Sequence, residues 1–235
     1  MQHELDHAIK QSSHSIDTEF LSMGLHDKGG ATMRHHLSDV ISHTDDKNYD
    51  AILLGYALCN NGIAGLSSRS VPLVVPRAHD CITLFLGNKE RYAEYFQTHP
   101  GTYFQTRGWV EQSHRDQPGR LTGTEQLSLK HLIEQYGEDN GHYLFNELQK
   151  QYRYYSRYTF ISMGIDNDAD IETTVRNTAK ERNWKFEKVK GDMSIFTRLV
   201  AGKWDTGDFL IVPPGYHIKP THDELIIDIE PDDNE

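Results

Sequence analysis

Two cysteines in 235 residues leave no disulfide framework, so the chain does not read as a small secreted scaffold held by cross-links. Its apolar runs, such as 51–54 and 72–76, fall far below the roughly 18 residues that a membrane span needs. No Gly-Lys-Ser or Gly-Lys-Thr phosphate loop occurs, and no glycine-rich dinucleotide fingerprint follows a predicted strand; ATP and NAD are disfavoured on that ground. Positive charge is scarce too, with 24 Lys and Arg against 35 Asp and Glu and a formal net charge of -11. Nucleic-acid phosphates would be repelled by such a surface, although a local basic pocket could still hold an anion. The first residues are charged and polar rather than an apolar leader, and the expected location is the cytoplasm.

What is present has an α/β rhythm. At 37% apolar and 25% charged residues, the chain suits one sizeable α/β domain or two small lobes, because single cores hold to about 250–300 residues. Leu5, Ala8 and Ile9 share one face of a helix over 2–12; a helix with no strand ahead of it is an unusual start for such a fold. A short strand is expected over 15–21, a Gly- and Asp-bearing loop over 24–30, and a helix over 31–43 with Met33, Leu37, Val40 and Ile41 inward. The run 49–56 reads as a parallel strand covered on both faces, and 71–76 reads as its neighbour, with a turn and short helix between them. Such units are right-handed and carry ligand-binding loops at the strand carboxyl ends. Cys59 and His79 fall in those loops.

Helical structure over 81–96 is expected to break at Gly87-Asn88, with Asp80 or Asn88 as N-caps. Residues 100–106 look extended, 111–123 is a polar segment suited to an exposed loop or lid, and 128–153 reads as helix. Strands over 158–163, 184–189 and 208–212 alternate with helices over 170–183 and 193–201. The expected fold is therefore two Rossmann-like α/β lobes with a largely parallel sheet and a cleft between them. The expected divisions are a site-bearing lobe at 1–110, lid and connecting helices at 111–157, a second lobe at 158–230 and an acidic tail at 231–235.

Cys59, His79 and Cys81 offer two thiols and one imidazole, a donor set that zinc binds tetrahedrally while keeping a position for water or substrate. The plain alternative is that both cysteines are core residues and His79 caps or bonds a carbonyl. A metal-free variant makes Cys59 a nucleophile with His79 as its base. Asp80 could act catalytically, orient His79 through its second nitrogen, or simply cap the helix starting at Cys81. His26, beside Asp27, is a candidate ligand or general base. Asn60 and Asn61, followed by Gly62, suit either an anion or an ordinary tight turn. Arg77 could clamp a substrate carboxylate or pair with a surface acid.

The strings Leu53-Leu54-Gly55-Tyr56-Ala57-Leu58-Cys59-Asn60-Asn61-Gly62, Val75-Pro76-Arg77-Ala78-His79-Asp80-Cys81-Ile82-Thr83-Leu84-Phe85-Leu86-Gly87 and Pro100-Gly101-Thr102-Tyr103-Phe104 resemble the family called domain of unknown function 1638. The similarity extends from about His3 to Pro214 and includes Gly137-Glu138-Asp139-Asn140 and Asp208-Phe209-Leu210. The resemblance implies an anaerobe or methanogen setting alongside corrinoid methyl-transfer systems. It also implies an opening strand ending in a further Cys upstream of the first helix, which this sequence, starting at Met1, does not contain; either another group, such as His26 or Asp80, takes that ligand's place, or a strand is missing from the start. In ligand types alone, the His-x-Cys element with a remote Cys resembles the zinc sites of cobalamin-dependent, thiol-directed methyltransferases of the uroporphyrinogen-decarboxylase type, whose barrel this chain is too short to form.

The expectation is a zinc-type metal-dependent enzyme acting on a small polar substrate, by thiol activation or methyl transfer linked to corrinoid metabolism. A hydrolase-like reaction is a further form of it. The alternative is a non-catalytic accessory protein that binds a metal, a corrinoid or a small acid. A small-molecule substrate is the first expected partner, with a corrinoid protein and a homo-oligomer as open alternatives.

Overall fold

Helix α1 (Gln2–Ile9) forms where the apolar spacing predicts it, and it buries Ala8 together with the carboxylate-bearing Glu4. The computed structural model describes residues 1–22, 25, 29–44, 49–68, 70–116, 129–150 and 153–232. The segment 15–21, expected as a strand, pairs with no other strand among these residues. Helix α2 (Gly30–His43) turns Met33, Leu37 and Ile41 inward at i, i+4, i+8, leaving Val40 half-buried.

Strands β1 (Ile52–Leu53) and β2 (Leu73–Pro76) are parallel, as the strand–crossover–strand reading requires, with Ile52 opposite Leu73. Helix α3 (Cys81–Leu86) ends at Gly87, whose φ of 93° is the left-handed geometry of a C-terminal cap. Asn88 then accepts from the Arg91 amide at 2.7 Å and starts α4 (Lys89–Thr98), so the expected break falls at Gly87-Asn88. Strand β3 (Thr102–Thr106) leads directly into α5 (Arg107–Asp116). The polar stretch expected as a lid is thus helical over its first residues, and the rest of it lies outside the described residues. Helices α6 (Leu129–Tyr136) and α7 (Glu138–Lys150) replace the single helix expected over 128–153. Gly137, at φ 81°, separates them.

Strand β4 (Arg157–Ser162), helix α8 (Ala169–Glu181), strand β5 (Lys185–Lys190) and helix α9 (Ser194–Val200) follow the predicted alternation. Strand β6 (Phe209–Val212) is the last of the expected elements. Strands β7 (Tyr216–Pro220) and β8 (Ile227–Pro231) add an antiparallel pair that the sequence reading left unassigned.

The chain divides into two compact units, and the division does not follow sequence order. One unit joins Met1–Ala93 to Asp192–Glu235, and the other is Glu94–Gly191. In the first, β6 pairs antiparallel with β2, so the sheet runs β1-β2-β6 and is mixed rather than largely parallel. Residues 209–212 therefore belong with the N-terminal sheet and not with a separate C-terminal lobe. Leu73 and Val75 on one face of β2 pack with Met33, Leu37, Ile41, Leu210 and Ile227. On the opposite face, by the two-residue alternation of a strand, Val74 is equally buried. The second unit has the all-parallel sheet β3-β4-β5, with Tyr158 and Phe160 buried against Val110, Val175 and Ala179. Among the described residues, no helix is long and apolar enough to cross a membrane.

Candidate functional site at the carboxyl ends of β1 and β2

The parallel register of β1 and β2 continues past the strands as a series of single hydrogen bonds. The Leu54 amide donates to the Val74 carbonyl at 2.8 Å, Leu58 to Ala78 at 2.9 Å and Cys59 to His79 at 3.0 Å. Two loops are thereby held side by side beyond the strand carboxyl ends, where ligands bind in open α/β sheets. The first loop then turns sharply. Cys59, Asn60 and Asn61 have φ of 37°, 54° and 60°, three successive non-glycine residues in left-handed geometry. Each such residue costs about 1–2 kcal/mol, least for Asn, so surrounding contacts must hold the turn. The Gly62 amide bonds back to the carbonyls of Leu58 and Cys59 at 2.9 and 3.0 Å. The first turns of α2 lie against it so closely that a Cβ on Gly30 would come 2.3 Å from the Asn60 carbonyl oxygen, and one on Gly62 would come 2.6 Å from Met33 Sδ.

The second loop is set by Asp80. Its Oδ1 accepts from the Ile82 amide at 2.9 Å and its Oδ2 from the Tyr92 hydroxyl at 2.7 Å. The first bond is the capping role weighed for Asp80, and with the second both carboxylate oxygens are engaged. The cap places Cys81 at the first position of α3. There its sulfur lies 3.6 Å from that of Cys59, with Cys59 buried and Cys81 half-buried. Hydrogen bonding to Cys59, then burial and the nearby negative charge of Asp80, hold the Cys81 thiol well above the usual thiol range; the chain's terminal ammonium opposes this. Tyr56 was not singled out by the sequence reading. Burial first, then its proximity to Cys81, Cys59 and Glu19, pushes its phenol up to about 12. The one signal in the sequence for Tyr56 was its place three residues before Cys59.

His79 does not join the two sulfurs. Its side chain is exposed, and its backbone carbonyl, not its ring, faces Cys59. The alternation that would put residues 79 and 81 on one side stops at Asp80, where the chain turns into helix. Among the described residues no three His, Cys, Asp or Glu side chains are grouped as a metal would need. The expected convergence of three ligands is thus a convergence of two.

Arg77 has a different task from the expected carboxylate clamp. It is 8% exposed, and its guanidinium donates to the carbonyls of Thr206 at 3.0 Å, Phe209 at 3.3 Å, Leu225 at 3.2 Å and Ile227. It fastens the β6 and β8 approaches to the end of β2. Asn60 and Asn61 are exposed in the left-handed turn, a geometry Asn tolerates. His26 lies outside the described residues.

The sulfur pair passes a geometric test for a soft metal ion. Zinc–sulfur bonds of about 2.3 Å at a tetrahedral angle set two thiolates about 3.8 Å apart, and the observed separation is 3.6 Å. Cys59 and Cys81 would supply half of such a coordination shell.

The chain matches the family described as "Protein of unknown function (DUF1638)" over residues 20–200, and it belongs to that family. No curated protein and no solved structure matches it.

Proposed function

For a chain of this family we propose a zinc-type metal-dependent enzyme acting on a small polar substrate, with Cys59 and Cys81 as the metal-holding thiolates. The observation that carries the reading is the 3.6 Å separation of the two sulfurs beyond the carboxyl ends of β1 and β2. His79, exposed two residues before Cys81, is the third donor, brought in by rotation of its side chain. Asn60 and Asn61 orient the substrate from the neighbouring turn. A bound zinc ion would keep a substrate thiol deprotonated and nucleophilic at neutral pH, which suits thiol activation or methyl transfer from a corrinoid carried by a partner. A Rossmann-like reading of each unit goes with this proposal, as does a reducing cytoplasm in which two thiols persist.

The test is the metal-to-protein ratio after anaerobic purification and reconstitution with zinc. One ion per chain is expected, with affinity falling at least about tenfold in Cys59→Ser and less in His79→Ala. Substoichiometric zinc in the wild type, or undiminished binding in the serine variant, would sink the reading. The engagement of Asp80 and Arg77 in structural hydrogen bonds favours a second reading, a non-catalytic accessory protein that binds a metal, corrinoid or small acid. Loss of the methyl group of methylcobalamin to a thiol, assayed with zinc-loaded protein, separates turnover from binding alone.

A further inference from the structure

We propose that Cys59 and Cys81 are a dithiol–disulfide couple, oxidised reversibly by a low-molecular-weight disulfide. The chain has two cysteines, and folding brings those two into contact at 3.6 Å across 22 residues of sequence. A disulfide needs about 2.05 Å between sulfurs, so closure is a movement of roughly 1.5 Å, within reach of rotation about the two side chains. The backbones are not able to drift apart, because Cys59 donates its amide to the His79 carbonyl and Asp80 locks the start of α3. Closure therefore asks little of the fold beyond the two thiols.

Exposure gives the order of events. Cys81 is the less buried of the two residues, and we take it as the sulfur that meets the small molecule. Once it has lost its proton, Cys81 attacks one sulfur of the disulfide, the S–S bond breaks, and one small thiolate leaves. The Cys59 thiolate then attacks the Cys81 sulfur of the mixed disulfide and expels the second small thiolate. Two electrons pass from the protein to the oxidant, and the two protons lost by the cysteines end on the two small thiols. The product has no thiolate to offer a metal, so oxidation and metal occupancy exclude each other. The couple uses the same sulfurs as the metal reading but does not depend on it.

The experiment uses the full chain, reduced, freed of metal with a chelator and equilibrated with excess oxidised glutathione. A single product is expected, lighter by two hydrogen atoms, with no thiol titratable after denaturation and with a peptide joining Cys59 to Cys81. Dithiothreitol should restore both thiols. In Cys59→Ser the reaction should stop at glutathione bound to Cys81. Glutathione retained on the wild-type protein, disulfide-linked dimers, or two thiols left unreacted at equilibrium would each overturn the proposal. The wild-type mass decides the matter even where the variant does not fold. Because it is read on metal-free protein, its failure leaves the zinc titration untouched, and failure of the zinc titration leaves it untouched.

Discussion

A buried guanidinium that bonds carbonyl oxygens and a guanidinium that waits for a substrate call for the same residue in a sequence, and Arg77 shows how the difference arises. Its position beside His79-Asp80-Cys81 suggests a clamp, but the carbonyls it satisfies belong to residues 206, 209, 225 and 227, more than a hundred positions away. Nothing local to residue 77 announces them. Replacing Arg77 with Met should leave those carbonyls short of donors at a cost of about 1–3 kcal/mol for each buried group left unsatisfied. The expected outcome is a steep loss of stability in urea denaturation, with Lys at 77 recovering part of it. A clamp would behave otherwise, weakening ligand binding while the unfolding midpoint stayed in place. Asp80 was more legible, since an aspartate directly before an apolar helical run is a cap signal, and only its second bond, to Tyr92, was hidden. The left-handed run at Cys59, Asn60 and Asn61 was visible only in part. The two asparagines suggest a turn, but a cysteine at φ 37° has no such local signal, and the close approach of Gly30 to Asn60 and of Met33 to Gly62 comes from another element.

Helices and strands were read correctly where local pattern decides them and misread where contact between elements decides. Met33, Leu37 and Ile41 mark α2 from the sequence alone, whereas residues 15–21 have the alternation of a strand but pair with none among the described residues. A strand needs a neighbour, and alternation does not supply one. The break between α6 and α7 is of the same kind, because residues 128–153 read as one long helix. In the folded chain Gly137 makes the turn, and Gly141 lets α7 approach α6 so closely that a Cβ would lie 2.7 Å from the Ile133 backbone. Ala in place of an interior helical Gly ordinarily gains about 1 kcal/mol. At 141 the sign should reverse, because two backbones must separate, and an overpacking cost of about 1–3 kcal/mol outweighs the gain. Gly137→Ala meets nothing within 4 Å and should lose only the roughly 1–2 kcal/mol of a left-handed alanine. Thermal melts of both variants check the pair of expectations, and a raised melting temperature for Gly141→Ala would mean that the two helices do not pack as described.

The return of residues 209–212 to the sheet begun by residues 52–53 joins the two ends of the chain in one unit, which explains why lobes drawn along the sequence miss the division. Strand order is a property of the assembled chain, and no spacing within 208–212 records that β6 runs antiparallel beside β2. The sulfur pair was legible for the opposite reason, since both cysteines follow strongly apolar strands whose parallel pairing was itself predictable. Whether that pair holds a metal or merely packs can be read from the pH dependence of the whole protein's stability. In the metal-free chain the thiol of Cys81 is raised, and the phenol of Tyr56 is pushed up to about 12. Both groups keep protons that the unfolded chain releases. The stability they support is intact below about pH 8.5 for the thiol and about pH 10 for the phenol, and it is lost as pH rises through the folded values. Metal uptake slopes the other way, because Cys59 and Cys81 must shed protons to bind as thiolates. The expected outcome is a zinc-dependent increase in melting temperature that grows between about pH 6 and 8, set against a metal-free curve that falls only above about pH 8.5. Cys81→Ser should abolish the zinc-dependent increase, since the serine hydroxyl stays protonated, while keeping the fold and the part of the alkaline fall that belongs to Tyr56. A zinc effect that is flat with pH, or that survives the substitution, would leave the two sulfurs as packing atoms and nothing more.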